Sequence, residues 1–464
     1  MIKNSDFLFK KITEKAAAVD FTGYTVQYPP MLFWKKINQD EEREIRKSWE
    51  KRARKNLKRV GLYIHIPFCN QRCSYCRYFS KGKVSKSLIE KYLRFLEKEV
   101  RIYRNILGKI SFRTLYIGGG TPSILSKNQL DKLFRVIYSN FNFRNCIQVA
   151  FEANPDSLSY QKLKLLKQHK VNRLTIGVQT LDDKVLKAVN RIQDKKSVYD
   201  SYRDARKVGI SWINVDLMAG LPLQNVESFR ESLEEIIKLR PDMVHIHPFY
   251  PTPYTQFEKK GGYLSPENVH LRSQMVFLGN KILTEAGYKE IKFDAAGLNP
   301  QARNIQLSDA IEYNSPFLGL GAGAASHLTY FFRYVNYDNL RDYFNSLKRN
   351  ILPIYLGYKL SKKDEMVYYV TANLRYREVS KRNFRKLFKK NIEDIFSQEI
   401  NYLIKRGKII DKEDKILLKS GSLGEYAIYS KYFYDKELIE NCKKLFKIDK
   451  SSRLKKEEIE CLEI

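Results

Sequence analysis

Cysteine and acidic residues are both in short supply. Six cysteines in 464 residues, three of them scattered at Cys146, Cys442 and Cys461, exclude the disulfide framework of a small secreted protein. Asp and Glu number 52 against 84 Lys and Arg, for a net charge of +32. No arginine-rich tail concentrates that excess, so a lysine-rich solvated surface explains it better than nucleic-acid binding through phosphate neutralisation. No apolar run approaches the ~18 residues of a membrane span, and Met1-Ile-Lys-Asn-Ser-Asp6 lacks the basic-then-apolar order of a signal peptide. A soluble, cytoplasmic protein is the expectation. Internal repeats and low-complexity tracts are also missing. What is present is ample material for large cores, with 43% hydrophobic and 13% aromatic residues, and a length that suggests about two to four domains.

The remaining cysteines are not scattered. Cys69, Cys73 and Cys76 stand as CxxxCxxC within Gly61-Leu-Tyr-Ile-His-Ile-Pro-Phe-Cys-Asn-Gln-Arg-Cys-Ser-Tyr-Cys76. Three closely spaced thiolates suit three irons of a [4Fe–4S] cluster, whose closed form takes four cysteines. One iron would then lack a protein ligand, and an open metal position implies chemistry, as it does in catalytic zinc sites. Zinc with a histidine as fourth ligand competes with this reading, although no second CxxC pair follows. Buried structural cysteines compete as well.

Residues 1–60 read as an N-terminal extension. Tyr24-Thr-Val-Gln-Tyr-Pro-Pro30 is extended, because residues before proline avoid the helical region, and a charged helix spans Glu41–Arg59. From 61 to 350 short apolar runs alternate with helical patterns. Strands are expected at Leu62–Ile66, Thr114–Ile117, Gln148–Glu152, Arg173–Gly177, Trp212–Leu217 and Met243–His247. Helices are expected at Ser87–Arg104, Lys127–Ser139, Ser157–Gln168, Lys196–Val208 and Val226–Leu239. Repeated βα units imply a parallel sheet that right-handed crossovers curl toward a barrel. Residues 351–464 form a C-terminal domain of a different kind. Helices at Lys362–Leu374, Lys381–Leu387 and Ile392–Arg406 precede a hairpin of Lys408–Asp411 and Ile416–Lys419, a winged-helix-like order. The polar features sit where strands end, and in barrels that rim is where ligands gather.

The cysteine motif with its flanking Tyr63-Ile-His-Ile-Pro-Phe68 resembles the radical SAM superfamily (SAM is S-adenosylmethionine). More narrowly it resembles the oxygen-independent coproporphyrinogen III oxidase-like family, which includes heme chaperones and anaerobilin synthases. The resemblance covers most of the chain and is strongest from Tyr63 to Pro222. It implies a partial (β/α)6 barrel with the C-terminal domain covering the barrel mouth. It also implies a cluster on Cys69, Cys73 and Cys76, one or two SAM molecules, and a 5′-deoxyadenosyl radical that abstracts a substrate hydrogen. A porphyrin or heme-type substrate and a reductase or flavodoxin-type electron donor are the expected partners.

Other segments carry family positions. Gly118-Gly-Gly-Thr-Pro122 is similar to the family's GGGTP element, so Gly119, Gly120 and Thr121 would meet the methionyl amino group. Glycines let main-chain carbonyls approach a ligand closely. Glu152 resembles the glutamate that accepts hydrogen bonds from the ribose hydroxyls, and a strand-end carboxylate is the plainer alternative. Gln179 would also reach the ribose, and Arg191 would hold the SAM carboxylate by a charge-assisted fork. Asp216 would contact the ribose or the substrate, unless it is a structural aspartate near a turn. Tyr63 and His65, two residues apart on one strand and so facing one side, are catalytic candidates near SAM or the cluster, with a satisfied structural pair as the alternative. His245 and His247 are spaced likewise and suit metal or heme ligation, or neither. Gly319-Leu-Gly-Ala-Gly-Ala-Ala-Ser-His327 is similar to a late glycine-rich segment beside the active site.

One position departs from the pattern. The oxidases resemble CxxxCxxCxC, and here Tyr78 takes the place of the fourth cysteine. That weakens a decarboxylase assignment and leaves a heme chaperone, a heme-degrading enzyme or a methylating enzyme of the same family open.

Overall fold

A computed structural model describes residues 28–54, 57–108, 110–249, 255–259, 266–419 and 429–438. Most of Tyr24–Pro30, the end of the expected Glu41–Arg59 helix at 55–56, and both Cys442 and Cys461 lie outside the described residues.

One large sheet organises the molecule. Its strands are β1 (Lys35–Lys36), β2 (Val60–Ile66), β3 (Phe112–Gly119), β4 (Gln148–Ala153), β5 (Arg173–Gln179), β6 (Trp212–Ala219) and β7 (Met243–Pro248), followed by β8 (Lys289–Lys292), β9 (Ala295–Gly297), β10 (Phe317–Leu320), β11 (Ala325–Leu328), β12 (Phe332–Asn336) and β13 (Ile354–Lys359). They lie in the order β1-β13-β12-β11-β10-β2-β3-β4-β5-β6-β7-β9-β8. From β2 to β7 the strands are parallel and in chain order, as the βα repeats predict, and β10 adds a further parallel strand beside β2. The remaining pairings are antiparallel, and the two ends of the sheet do not meet.

The parallel strands are apolar runs because helices cover their outer face. Val60, Leu62, Ile64 and Ile66 of β2 are wholly buried outward, while Tyr63 and His65 alternate toward the inside of the curl. The first crossover helix, α1 (Lys86–Leu107), begins where the Ser85 side chain accepts from the Leu88 N–H and stops at Gly108, whose φ is 56°. Its buried stripe of Ile89, Tyr92, Leu93, Leu96, Val100 and Tyr103 follows the helical period. Ser126, Asp194 and Asn225 cap later crossover helices at Lys127–Asn140, Lys195–Lys207 and Val226–Lys238 with reciprocal side-chain bonds. Satisfying the orphan N–H groups in this way fixes where each helix starts.

The segment before β2 is stitched onto this frame. Its helix, Gln39–Arg54, carries exposed ion pairs such as Arg43–Asp40 but also buries Ile45 and Trp49, whose indole donates to Tyr334 Oη at 2.9 Å. The boundary expected at 350 precedes β13, which still pairs into the main sheet. Beyond it come helices Lys362–Leu374, Lys381–Phe388 and Glu393–Lys405. A small sheet of Glu378–Ser380, Lys415–Leu418 and Ile409–Asp411 contains the expected hairpin and one strand that the sequence did not signal. Arg377 pairs with Glu290 of the edge strand β8 at 2.7 Å, and Asn373 donates at 3.0 Å to the Ile311 carbonyl of the helix Ile305–Glu312, tying this part to the sheet's far edge and to that helix.

Candidate functional site

The cysteine loop leaves β2 at Pro67 and is folded back by main-chain bonds. Gly120 N–H donates to Ile66 O at 2.8 Å and Thr121 N–H to Phe68 O at 2.7 Å, while Ser74 N–H reaches Val189 O at 2.9 Å. The GGGTP turn and the Asn190–Arg191 turn thereby flank the three thiols. All three are free. Among the described residues their sulfurs do not form a group whose ligand atoms fall within 4.8 Å of one another. One tetrahedral zinc with ~2.3 Å bonds would need sulfurs about 3.8 Å apart. Three thiols on one loop with no fourth cysteine beside them are a donor set that could hold three irons of an iron–sulfur cluster.

Three polar side chains bridge two of these thiols. The Thr121 hydroxyl donates to Cys69 Sγ at 3.3 Å, and Asn154 Nδ2 donates to Thr121 Oγ1 at 3.2 Å. Arg191 Nη2 then donates to Asn154 Oδ1 at 3.2 Å, and its Nη1 reaches Cys73 Sγ at 3.6 Å and Tyr75 Oη at 3.4 Å. Arg191 also donates to the Gly177 carbonyl and, through Nε, to Gln193 Oε1 at 2.9 Å. Asn154 had no role in the sequence reading, although it lies two residues after Glu152. Cys76 faces Ser80 Oγ at 3.9 Å and the Tyr78 carbonyl at 4.0 Å, while the Tyr78 side chain is 59% exposed. Tyr78 therefore approaches Cys76 only through its main chain.

The neighbouring strand ends converge on the same space. Glu152 Oε1 accepts from Tyr116 Oη at 2.5 Å and Oε2 from Gly119 N–H at 3.1 Å, and burial raises its carboxyl. Tyr116 is a second position that the sequence did not flag. Gln179 ends β5 with φ at 72°, a conformation that costs a non-glycine residue of order 1–3 kcal/mol and recurs at functional sites. His65 Nδ1 lies 2.9 Å from Tyr63 Oη and its Nε2 lies 3.0 Å from the Phe79 carbonyl. Burial brings His65 down to about 4 despite that carbonyl, so it is a neutral imidazole that donates from Nε2 and accepts at Nδ1. Both nitrogens of the Tyr63–His65 pair's ring are thereby engaged, which favours positioning over proton transfer.

Asp216 lies further along the rim, on the same face of the sheet as Glu152. Asn214 Nδ2 donates to its Oδ1 at 2.7 Å, and its oxygens approach His247 Nε2 at 3.6 Å and His245 Nδ1 at 4.0 Å. Burial works to raise the Asp216 carboxyl, but the His247 and His245 rings outweigh it and bring it to about 2. Behind His245 lie Lys292 and the fully buried Asp294, neither of which the sequence reading singled out. The late glycine-rich segment forms β10 and the turn into β11. Its Gly321 N–H donates at 2.8 Å to Glu99 of α1, directly behind β2.

The chain is similar to proteins of known family. The model of the radical SAM superfamily matches residues 63–236. The heme chaperone HemW of Bacillus subtilis (strain 168) is 30% identical over 365 residues, covering 77% of this chain and 94% of the relative. An oxygen-independent coproporphyrinogen III oxidase of Helicobacter pylori (strain ATCC 700392 / 26695) is 31% identical over 346 residues, covering 69% and 74%. The solved structure of the coproporphyrinogen III oxidase HemN from Escherichia coli superimposes with a TM-score of 0.77 over 88% of this chain and 96% of that one, at 23% identity. That likeness extends the shared fold well beyond the cysteine motif.

Proposed function

This chain belongs to the radical SAM superfamily and, within it, to the coproporphyrinogen III oxidase-like family, and from that premise we propose that it is a radical SAM enzyme acting on a porphyrin or heme-derived substrate. Family membership implies a [4Fe–4S] cluster and SAM. The observation that carries the reading is the hydrogen-bonded path from Cys69 through Thr121, Asn154 and Arg191 to Cys73, which ties the thiols to the strand ends that would hold SAM. Bound there, the cluster and SAM supply one-electron cleavage of a sulfonium and a carbon radical for hydrogen abstraction.

The chain's own residues then have separable tasks. Cys69, Cys73 and Cys76 would hold three irons. Gly119, Gly120 and Thr121 bring main-chain groups to the methionyl end, and Arg191 meets its carboxylate by exchanging some of its present partners. Glu152 and Gln179 accept the ribose hydroxyls. Tyr63 and His65 line the floor as a neutral hydrogen-bonded pair that excludes water. Asp216 lies between Glu152 and the two histidines, on the side from which substrate would enter. Arg72, Lys81 and Lys83 line a recess beside the cysteine loop, and such a basic surface favours an acidic, flavodoxin-type electron donor. Among the described residues no helix is long and apolar enough to cross a membrane.

A heme chaperone is the second reading, favoured by the near-complete coverage of the Bacillus relative. The anaerobically reconstituted chain, given SAM and reductant with and without heme or coproporphyrin III, separates the two. Porphyrin-dependent 5′-deoxyadenosine and micromolar binding (on the order of −8 kcal/mol) that salt weakens are expected of the enzyme. Stable heme binding with no porphyrin consumed would make it a chaperone. No response to any tetrapyrrole would remove both and leave a methyltransferase or cyclase on the same scaffold.

A further inference from the structure

The inner face of β6 and β7 carries a second cluster of metal-ligating side chains, apart from the cysteines. Asp216 and His245 are paired in register across these strands, and His247 follows two residues along β7 on the same face. One ligand atom from each of Asp216, His245 and His247 falls within 4.8 Å of the others. The imidazole centroids are 3.7 Å apart. The carboxylate oxygens stand 3.6 Å from His247 Nε2 and 4.0 Å from His245 Nδ1. These gaps are too wide for hydrogen bonds. Donors around an ion with ~2.1 Å bonds lie roughly 3.0–3.4 Å apart, so the carboxylate must close by about 0.2–0.6 Å on His247 and about 0.6–1 Å on His245 to complete the site.

The surroundings have the form that metal-binding histidines require. A ligating histidine usually donates its other ring N–H to a carboxylate, which fixes its tautomer. His245 Nε2 lies 3.1 Å from Asp294 Oδ2, on the side away from Asp216. Asp294 is fully buried and held by Lys292 at 2.9 Å and Arg375 at 3.2 Å. Lys292 Nζ also stands 2.8 Å from His245 Nε2 and competes for that nitrogen. Ligation through Nδ1 thus requires Nε2 to keep its proton for Asp294 and Lys292 to turn to Asp294 Oδ1, 2.9 Å away, where with Arg375 it balances the carboxylate. His247 is 37% exposed in its side chain, so one flank opens to the barrel interior.

We propose that Asp216, His245 and His247 bind one divalent transition ion of the zinc or ferrous class, with Asp294 as a positioning residue behind His245. Two histidines and one carboxylate leave coordination positions for water or a substrate oxygen. The inference rests on these side chains and stands whether or not the tetrapyrrole reading holds.

Cobalt(II) alone is the probe. The full chain carrying Cys69→Ser, Cys73→Ser and Cys76→Ser, stripped with a chelator, removes the competing thiols. One Co²⁺ per chain with nitrogen and oxygen ligand-field bands and no sulfur charge transfer is expected. His247→Ala or Asp216→Asn should abolish binding, and Asp294→Asn should weaken it about 10–100-fold. In parallel, elemental analysis of the reconstituted chain with its cysteines intact should find one zinc beside the cluster iron, and His247→Ala should lose the zinc while keeping the iron. Equal zinc in those two proteins, or Co²⁺ bands that survive both substitutions, would overturn the proposal.

Discussion

Along β2, β3 and β4 the important groups lie within a few residues of a strand end and work largely through the main chain, whereas along β6, β7 and β9 they are long-range side chains. On the first side, Gly119 N–H, the Phe79 carbonyl and the Gly177 carbonyl are partners as important as any side chain. On the second, Asp216, His245, His247, Lys292 and Asp294 are ionisable groups from separate segments that meet only in the fold. A cofactor common to many proteins is met by turns that keep their shape whatever surrounds them. The groups that choose a substrate or a second ion are set by side chains on more distant strands. The two sides meet at Asp216, whose charge acts on both Glu152 and the histidines.

The largest effect separates the two sides outright. Cys69→Ala, Cys73→Ala or Cys76→Ala should each abolish SAM cleavage and the iron of the cluster, while divalent-ion binding at Asp216, His245 and His247 persists. About four irons per reconstituted chain are expected before substitution. SAM cleavage retained in all three variants would end the radical SAM reading. Loss of ion binding in the same variants would show that the two sides are one site.

This asymmetry also decided what could be read in advance. Parallel strands appear as apolar runs and their helices carry Ser, Asp or Asn caps, so β2–β7 and the crossover helices fall within a few residues of expectation. The cysteine loop, the GGGTP turn and Glu152 were visible because each is a local pattern. Apart from the glycine-rich Gly319–His327, the stretch from 266 to 336 was not: its helices Pro266–Glu285 and Ile305–Glu312 carry no local signal that stands out, and β8, β9 and β11 are too short for alternation to register. Lys292 ends a strand of four residues and Asp294 immediately precedes one of three, and Lys292 meets His245 across 47 positions. Asn154 and Tyr116 stood beside recognised residues, but their bonds to Thr121 and Glu152 depend on which strands are neighbours.

A smaller effect tests how far the cofactor side is truly local. Its back is braced by Glu99, wholly buried on α1, which accepts from Tyr343 Oη at 2.6 Å, Gly321 N–H at 2.8 Å and Asn336 Nδ2 at 2.8 Å. Burial pushes the Glu99 carboxyl up to about 7 against the pull of these three donors. Between its ordinary value near 4.5 and about 7, the folded chain therefore keeps a proton that the unfolded chain has released. Stability should fall as pH rises through that window, by on the order of 3 kcal/mol, and level off above it. Urea melts from pH 4 to 8 read this directly, and Glu99→Gln should flatten the profile. A Gln variant with the wild-type slope would show that other groups carry it.

The smallest effect concerns one backbone position where both kinds of construction meet. Gly119 has φ of 116°, and a Cβ there would come within 2.7 Å of the His65 ring. Side chains rarely adopt that conformation, and the cost is of order 1–3 kcal/mol. Gly119→Ala should thus destabilise the chain by about 2 kcal/mol in denaturant unfolding. His65 cannot simply retreat, because its Nδ1 is held by Tyr63 and its Nε2 by the Phe79 carbonyl. Adding His65→Ala removes the steric part but leaves the backbone part. The double-mutant cycle should therefore show a favourable coupling of about 1 kcal/mol, outside the scatter of independent sites. Zero coupling would assign the whole cost to the backbone and make the glycine a purely local requirement. A loss under about 0.5 kcal/mol in the single variant, typical of neutral surface changes, would mean that the GGGTP turn is not held against His65 as described.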